Sequence, residues 1–198
     1  MTFLFTPRHA ALIILALALG LGSSALGKMS ELEERCDKGE ASACFEAGLA
    51  LADTQPKVMK RALAFYEKAC GGGDLRGCNS LGVSLRRAQG DAQDLSRALR
   101  LVKTACRGKL AVGCFNWAAM LIAGEGGDKD LVQATRLLEQ ACEADYGPAC
   151  SARANMCLSN ASNPDNTQAT RCATRYFRRA CSLRDGEGCY NLGQILRE

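Results

Sequence analysis

Apolar and small residues recur along this chain at helical spacing, and the same arrangement returns at nearly constant intervals. Alanine stands eight positions and again one position before a cysteine, with large apolar residues between, as from Ala62 to Ala69. These three- and four-residue steps predict an amphipathic helix with one buried face, here called helix B. The equivalent alanines elsewhere are Ala98 with Ala105, Ala134 with Ala141, and Ala173 with Ala180.

A second apolar pattern follows each helix B after a short interval. It has a cysteine, a small residue four positions on and, in most copies, a leucine seven positions on, as in Cys114, Ala118 and Leu121. Because these positions share one face of an α-helix, they predict a second helix, A. The small residue is expected to let a neighbouring helix approach closely. Its counterparts are Gly48, Gly82, Ala154 and Gly193.

Five C-x7-C pairs join these two helices, and their first members lie at positions 36, 70, 106, 142 and 181. A period of this length is typical of helical repeat proteins. Each pair places one cysteine at the end of helix B and the next at the start of helix A, across a tight turn within reach of a disulfide. The sequence therefore predicts an all-α solenoid of helical hairpins cross-linked by disulfides. The pairs are Cys36/Cys44, Cys70/Cys78, Cys106/Cys114, Cys142/Cys150 and Cys181/Cys189.

Two further cysteines, Cys157 and Cys172, fall outside these pairs. Cys157 takes the place of the leucine on helix A of the fourth repeat, and Cys172 lies on helix B of the same repeat, across the longest connecting loop. One interpretation is a sixth disulfide, and the other is a pair of reactive thiols. Reactive thiols are less favoured, because there is no neighbouring histidine or C-x-x-C spacing to lower a thiol pKa. The disulfide is favoured, and twelve cysteines in all predict a complete framework in an oxidising compartment.

The N-terminal residues 1–27 have the pattern of a secretory signal peptide. Arg8 precedes an apolar run over residues 10–20, and residues 25–27 (ALG) supply a small-x-small cleavage site. The apolar run is shorter than the roughly 20 residues that a membrane-spanning helix needs. Residues 28–198 are then the repeat array of about five C-x7-C units, with the terminal helices as caps.

The connections between helices carry capping signals. Asp130 is predicted as the N-cap of a helix B, with Gln133 three positions further on, in the arrangement of a capping box. Asp94 takes the equivalent position one repeat earlier, so the same role is predicted for it.

Charge and composition argue against several classes of function for this protein. The formal net charge is +4 with acids and bases interspersed, and no basic stripe or arginine-rich arm points to nucleic acid. The single histidine, His9, lies in the predicted signal peptide, so no Ser-His-Asp or Cys-His nucleophile is predicted. Neither metal-ligand spacing nor a phosphate-binding motif is present. The sequence therefore predicts no catalytic residue, metal or cofactor.

The segment "AGEGGDKDLVQATRLLEQAC", together with the helix start "GCYNLG", resembles the Sel-like repeat, a relative of the tetratricopeptide repeat. With its C-x7-C pairs, the chain is similar to the Helicobacter cysteine-rich protein family, which are exported Sel-like repeat proteins with cross-linked helical pairs. The resemblance implies a secreted or periplasmic location. A cysteine-rich oxidase assembly factor of the mitochondrial intermembrane space is built similarly, which leaves that compartment as an alternative.

Members of this family have carried β-lactamase or penicillin-binding labels. The alternative function is therefore a weak activity on penicillins, with a β-lactam or peptidoglycan-related ligand. Serine β-lactamases use S-x-x-K, S-D-N and K-T-G. The first two are absent here and the nearest third element is Lys103-Thr104-Ala105, so an enzyme is not favoured.

A stack of helical hairpins favours a binding role, because the A helices line a concave surface that commonly holds a peptide or partner protein. The residue after the second cysteine of each pair, and the residue one step further, are expected to reach this groove. The alternative, which is favoured for the aromatic residues at these positions, is that they pack between repeats. Trp117 is predicted to lie in the hydrophobic core. The sequence thus predicts a monomeric scaffold for a protein or peptide ligand. The candidate partner-binding residues are Phe45, Asn79, Phe115, Asn116, Tyr190 and Asn191.

Overall fold

The computed structural model describes residues 23–52, 56–88, 92–159 and 167–197, and within them the backbone forms ten α-helices and no strand. None of these ten helices is long and apolar enough to cross a membrane. Most of the predicted signal peptide lies outside the described residues. The helices are α1 (Ser23–Asp37), α2 (Ala41–Ala52), α3 (Pro56–Gly71), α4 (Leu75–Arg87), α5 (Ala92–Arg107), α6 (Ala111–Ala123), α7 (Leu131–Glu143), α8 (Gly147–Ser159), α9 (Thr167–Ser182) and α10 (Gly186–Ile195).

The helices alternate in type as the repeat predicts, with B helices at α1, α3, α5, α7 and α9 and A helices between them. The chain divides into two compact units, and the boundary between Leu81 and Gly82 lies within α4. In unit 1, α1 and α3 both contact α2 and also contact each other. In unit 2, each helix from α5 to α10 contacts the next along the chain. The predicted all-α solenoid of hairpins is confirmed.

The turn between each helix B and the next helix A has one geometry throughout. In the third turn, the N–H of Lys109 donates to the carbonyl of Cys106 at 2.8 Å, and the N–H of Leu110 donates to the carbonyl of Ala105 at 3.1 Å. These two bonds form a Schellman cap, which requires a left-handed residue three positions after the first cysteine. That residue is Gly39 (φ 92°), Gly73 (φ 91°), Lys109 (φ 69°), Asp145 (φ 60°) or Arg184 (φ 62°).

One predicted helix cap is confirmed and the other is wrong. The Asp130 carboxylate accepts a hydrogen bond from the Gln133 N–H at 2.8 Å, as an N-cap does. Asp94 instead lies within the first turn of α5, because that helix begins earlier, at Ala92. Its negative charge is still favourable there, since the N-terminal end of the helix carries a partial positive charge.

The core is built from small residues that let helices approach closely. All eight alanines predicted on the buried face of helix B are 0% exposed, and Trp117 is buried as predicted. A Cβ at Gly48 would lie 2.7 Å from the Tyr66 ring, and one at Gly82 would lie 2.9 Å from Val102, so the predicted close approach is confirmed at both glycines. Gly193 differs, because a Cβ there would meet nothing within 4 Å.

Candidate functional site

The disulfides fix the junctions between hairpins. All twelve cysteines lie in the described residues and none is free. Five disulfides, here called the turn disulfides, have Cα separations of 4.4 to 4.7 Å, and each links a helix B to the following helix A. They are Cys36–Cys44, Cys70–Cys78, Cys106–Cys114, Cys142–Cys150 and Cys181–Cys189.

The sixth disulfide joins Cys157 of α8 to Cys172 of α9, whose Cα atoms are 5.9 Å apart. Unlike the turn disulfides, it links the two helices of a single hairpin. The sequence alone was compatible with either a disulfide or two reactive thiols at Cys157 and Cys172, and the structure has the disulfide.

The turn disulfides belong to the core and present no surface to a ligand over most of the chain. The second cysteine of each of the first four pairs is at most 2% exposed; these residues are Cys44, Cys78, Cys114 and Cys150. The sequence predicted all twelve cysteines as disulfide residues, and each of them is in a disulfide. The four cysteines just named are also buried packing elements near the start of an A helix. The sulfurs of these four residues are therefore not part of the exposed surface.

The position directly after the second cysteine packs against the following disulfide turn. The Phe115 ring makes an edge-on contact with Tyr146, with centroids 5.4 Å apart. Ser151 is fully buried, and its hydroxyl donates a hydrogen bond to the Asp185 carboxylate. Phe45 of unit 1 lies beneath the Arg76 guanidinium, 4.4 Å from its ring centroid. The structure thus places Phe45 and Phe115 in packing contacts between repeats.

The other candidate partner-binding residues have different surroundings. Tyr190 occupies the same repeat position as Phe115 but is 67% exposed. Asn79, Asn116 and Asn191 are half-buried, and each lies on an A helix. Only the asparagines and Tyr190 therefore combine a polar group with access to solvent.

In unit 2, the A helices form a continuous surface, since α6 contacts α8 and α8 contacts α10. Asn116 of α6, Asn155 of α8 and Asn191 of α10 lie two or five positions after their cysteines, and these positions share one helix face. The Asn155 amide donates to the Glu187 carboxylate at 2.9 Å, which links α8 to α10 across this surface. We call Asn116, Asn155 and Asn191 the asparagine face. Sequence reasoning missed Asn155, although its spacing three residues after Ala152 would have placed it there.

A second polar cluster surrounds the Cys157–Cys172 disulfide. The Arg153 side chain is only 15% exposed, and its Nε donates to Glu139 Oε1 at 2.9 Å. Its Nη1 lies 2.9 Å from Cys157 Sγ and 4.0 Å from Cys172 Sγ. Sequence reasoning found no group beside these cysteines, although an arginine four residues before Cys157 lies on the same helix face.

Asp74 and Tyr146 are two of the titratable groups whose surroundings shift their pKa. The hydrogen bond from the Arg76 guanidinium lowers the pKa of Asp74, whose side chain is only 10% exposed. Burial, with a smaller contribution from the Asp185 carboxylate, raises the pKa of Tyr146. Both residues lie in disulfide turns, so these shifts belong to the packing of the repeat.

The segment nearest to a β-lactamase motif is engaged in packing. The Lys103 ammonium lies 5.2 Å from the Trp117 ring centroid, and the Thr104 hydroxyl donates to the carbonyl of Arg100 at 3.0 Å. Ala105 is fully buried. Within the described residues, no three histidine, cysteine, aspartate or glutamate side chains are grouped to hold a metal ion.

Two segments of the chain, residues 41–74 and 111–146, match the model of the Sel1 repeat family. Each segment spans one A–B hairpin and the start of the next disulfide turn: α2 with α3, and α6 with α7. The chain therefore contains Sel1 repeats. Sel1 repeats generally form non-enzymatic scaffolds that bind other proteins.

Solved structures share the fold of this chain at low sequence identity. A protective antigen of uropathogenic Escherichia coli that displays an SLR fold is 18% identical with a TM-score of 0.78, over 96% of this chain and 40% of that one. A Sel1 repeat protein from Oxalobacter formigenes is 18% identical with a TM-score of 0.63, over 77% and 61%. Helicobacter pylori cysteine rich protein B is 24% identical with a TM-score of 0.49, over 62% and 94%.

The chain spans less than two thirds of the length of the first two of these structures. No curated protein sequence matches it. The likeness to the first two structures therefore establishes the fold of this chain and nothing further about its function.

Proposed function

We propose that this protein is an exported, monomeric scaffold that binds an extended protein or peptide segment on the asparagine face. The observation that carries the proposal is the succession of contacts from α6 to α8 to α10, which puts one asparagine on each of three neighbouring helices. An asparagine amide both donates and accepts, so it matches the alternating N–H and C=O groups of a peptide backbone.

The spacing of the helices fits such a ligand. Packed helices lie about 9 Å apart, and an extended peptide rises about 3.3 Å per residue. A segment of roughly six residues would therefore reach from α6 to α10. Tyr190, exposed on α10, adds an aromatic surface at one end, where it would cover an apolar side chain of the ligand.

The disulfides support the location. Six disulfides are typical of an oxidising compartment. Secretion or the periplasm is proposed from the signal-like segment at residues 1–27, with the mitochondrial intermembrane space as the alternative. An activity on β-lactams is not proposed, because no described contact favours it.

Selection from a random peptide library on the oxidised protein tests the function, followed by fluorescence anisotropy of the selected peptides. Asn155→Ala and Asn191→Ala are each expected to weaken binding about fivefold, the effect of one lost hydrogen bond. The matched control is Arg136→Ala, an exposed position on α7, which should leave the affinity unchanged. Peptides that bind both asparagine variants as tightly as the native protein would contradict the proposal.

A further inference from the structure

The Cys157–Cys172 disulfide differs from turn disulfides in its electrostatic surroundings. In three of the turns, the sulfur of the second cysteine lies 3.6 or 3.7 Å from a backbone carbonyl oxygen, as Cys114 does from Cys106. Cys157 Sγ has a similar contact, 3.4 Å from the carbonyl of Arg153. It also has a guanidinium nitrogen at 2.9 Å. The cation is therefore what sets this disulfide apart from those three.

Arg153 is held beside the sulfurs by residues of two other helices. Glu139 of α7 accepts from its Nε, and the guanidinium lies over the ring of Tyr176 of α9, 5.0 Å from the centroid. The Tyr176 hydroxyl donates to the same Glu139 carboxylate at 3.2 Å. The guanidinium is thus held at its Nε by Glu139 and against the ring of Tyr176, while its Nη1 lies beside the disulfide.

The two cysteines of this disulfide differ in exposure. Cys157 is 7% exposed, whereas Cys172 is only partly buried. An incoming nucleophile therefore reaches Cys172 first. Attack there makes Cys157 the leaving sulfur, and Cys157 is the one in closer contact with Arg153.

We propose that Cys157–Cys172 is a site of thiol–disulfide exchange with an external dithiol. A thiolate of the dithiol attacks Cys172 Sγ, the S–S bond breaks, and its electron pair leaves on Cys157 Sγ as a thiolate beside Arg153. The second thiolate of the dithiol then attacks its own sulfur in the mixed disulfide. This closes the disulfide of the dithiol and releases Cys172 as a thiolate, so two electrons pass from the dithiol to the protein.

The charge of Arg153 is the functional element of this site. A cation that stabilises the departing thiolate accelerates exchange at that bond. Glu139 opposes the effect, because its carboxylate partly neutralises the guanidinium. Reduction would remove the only disulfide between α8 and α9 and leave the five turn disulfides in place.

The first experiment identifies the sulfur that is attacked. The oxidised full-length protein is exposed briefly to reduced glutathione, quenched with acid, alkylated and mapped by mass spectrometry. The expected product carries glutathione on Cys172 and the alkyl group on Cys157. Glutathione on Cys157 would overturn the proposed direction of attack.

The second experiment measures the role of the charge with pulses of dithiothreitol. Arg153→Gln is expected to slow opening of Cys157–Cys172 by about three- to tenfold, while the exposed Cys181–Cys189 disulfide of the same molecule opens at an unchanged rate. Arg153→Lys should restore most of the rate. Glu139→Gln should raise the rate of opening above the native value. If Arg153→Gln loses helical circular dichroism, the Glu139→Gln measurement alone tests the role of the charge. The proposal would be overturned if Cys157–Cys172 opened at the same rate in the native protein, in Arg153→Gln and in Glu139→Gln.

Discussion

Gly113 packs against Ala105 so closely that a Cβ at position 113 would stand 2.7 Å from the Ala105 Cβ. The same contact recurs between Gly77 and Ala69, where the separation would be 2.5 Å. In both cases the residue just before the second cysteine of a pair touches the residue just before the first. The cysteine Cα atoms lie 4.5 and 4.4 Å apart in these two turns, against 4.6 and 4.7 Å in the turns where alanine takes the place of the glycine.

Gly113→Ala is therefore expected to destabilise the fold. The added methyl would also lie 2.9 Å from the backbone nitrogen of Cys106, so the helices must separate. Such overpacking lowers the free energy of unfolding by about 1–3 kcal/mol, which urea denaturation followed by circular dichroism would measure. Gly193→Ala is the control: it adds a methyl to an A helix where nothing lies within 4 Å, and should be neutral or stabilising by up to about 1 kcal/mol. Equal stability of the two variants would contradict the close contact.

The Asp130 cap has a measurable effect on stability. Asp130→Ala removes the acceptor of the Gln133 N–H and should lower the free energy of unfolding by about 1 kcal/mol. Thermal unfolding of oxidised protein is the measurement. Asp128→Ala removes an exposed carboxylate two residues away and is expected to change stability by less than about 0.5 kcal/mol. A cap variant as stable as this control would show that the hydrogen bond contributes nothing.

Asp74 makes part of the stability dependent on pH. Its pKa is lowered from the ordinary 3.8, first by the hydrogen bond from Arg76, so the folded state favours the ionised carboxylate. The stabilisation is fully present above the unfolded-state pKa and is lost as the pH falls through the lower folded-state value. Asp74→Asn should therefore be less stable than the native protein by roughly 1 kcal/mol at pH 7, and the difference should vanish at strongly acidic pH. If the stability difference between the two proteins stayed the same at acidic pH, the loss would come from the altered packing of the side chain and not from its charge.

A turn disulfide should contribute a sizeable part of the stability. Cys106→Ala combined with Cys114→Ala opens a nine-residue loop, and chain-entropy arguments give a loss of about 2.5 kcal/mol. Urea denaturation of the double variant, with the five remaining disulfides verified by mass spectrometry, measures it. A loss below about 0.5 kcal/mol would mean that the Schellman hydrogen bonds hold the turn without the sulfur bridge.

The repeat made most of the fold predictable. A residue such as Ala141 has equivalents in the other repeats, and one packing arrangement puts all of them in the same environment. The alternation of A and B helices and the buried alanine face therefore follow from spacing. The turns follow less directly, because Lys109 and Arg184 adopt a left-handed backbone that composition alone assigns to glycine.

The candidate site was harder to predict, since it depends on contacts between repeats. Phe115 and Tyr190 occupy the same position, but Tyr146 of the following turn covers only the first of them. Arg153 gains its significance from Glu139 and Tyr176, which lie on two other helices and are brought together by the fold. Neither relationship is visible in the local pattern of a single repeat.

The placement of the sulfur bridges determines how the molecule responds to a break in its backbone. No bridge spans residues 115–141, so a protease cut between α6 and α7 yields two pieces that separate on a denaturing gel. A cut between Cys157 and Cys172 lies inside a covalent ring, and the nicked protein migrates as one species until a reductant is added. A backbone cut in the loop of the fourth hairpin is thus not detected under oxidising conditions, because the Cys157–Cys172 disulfide beside Arg153 keeps the two fragments joined.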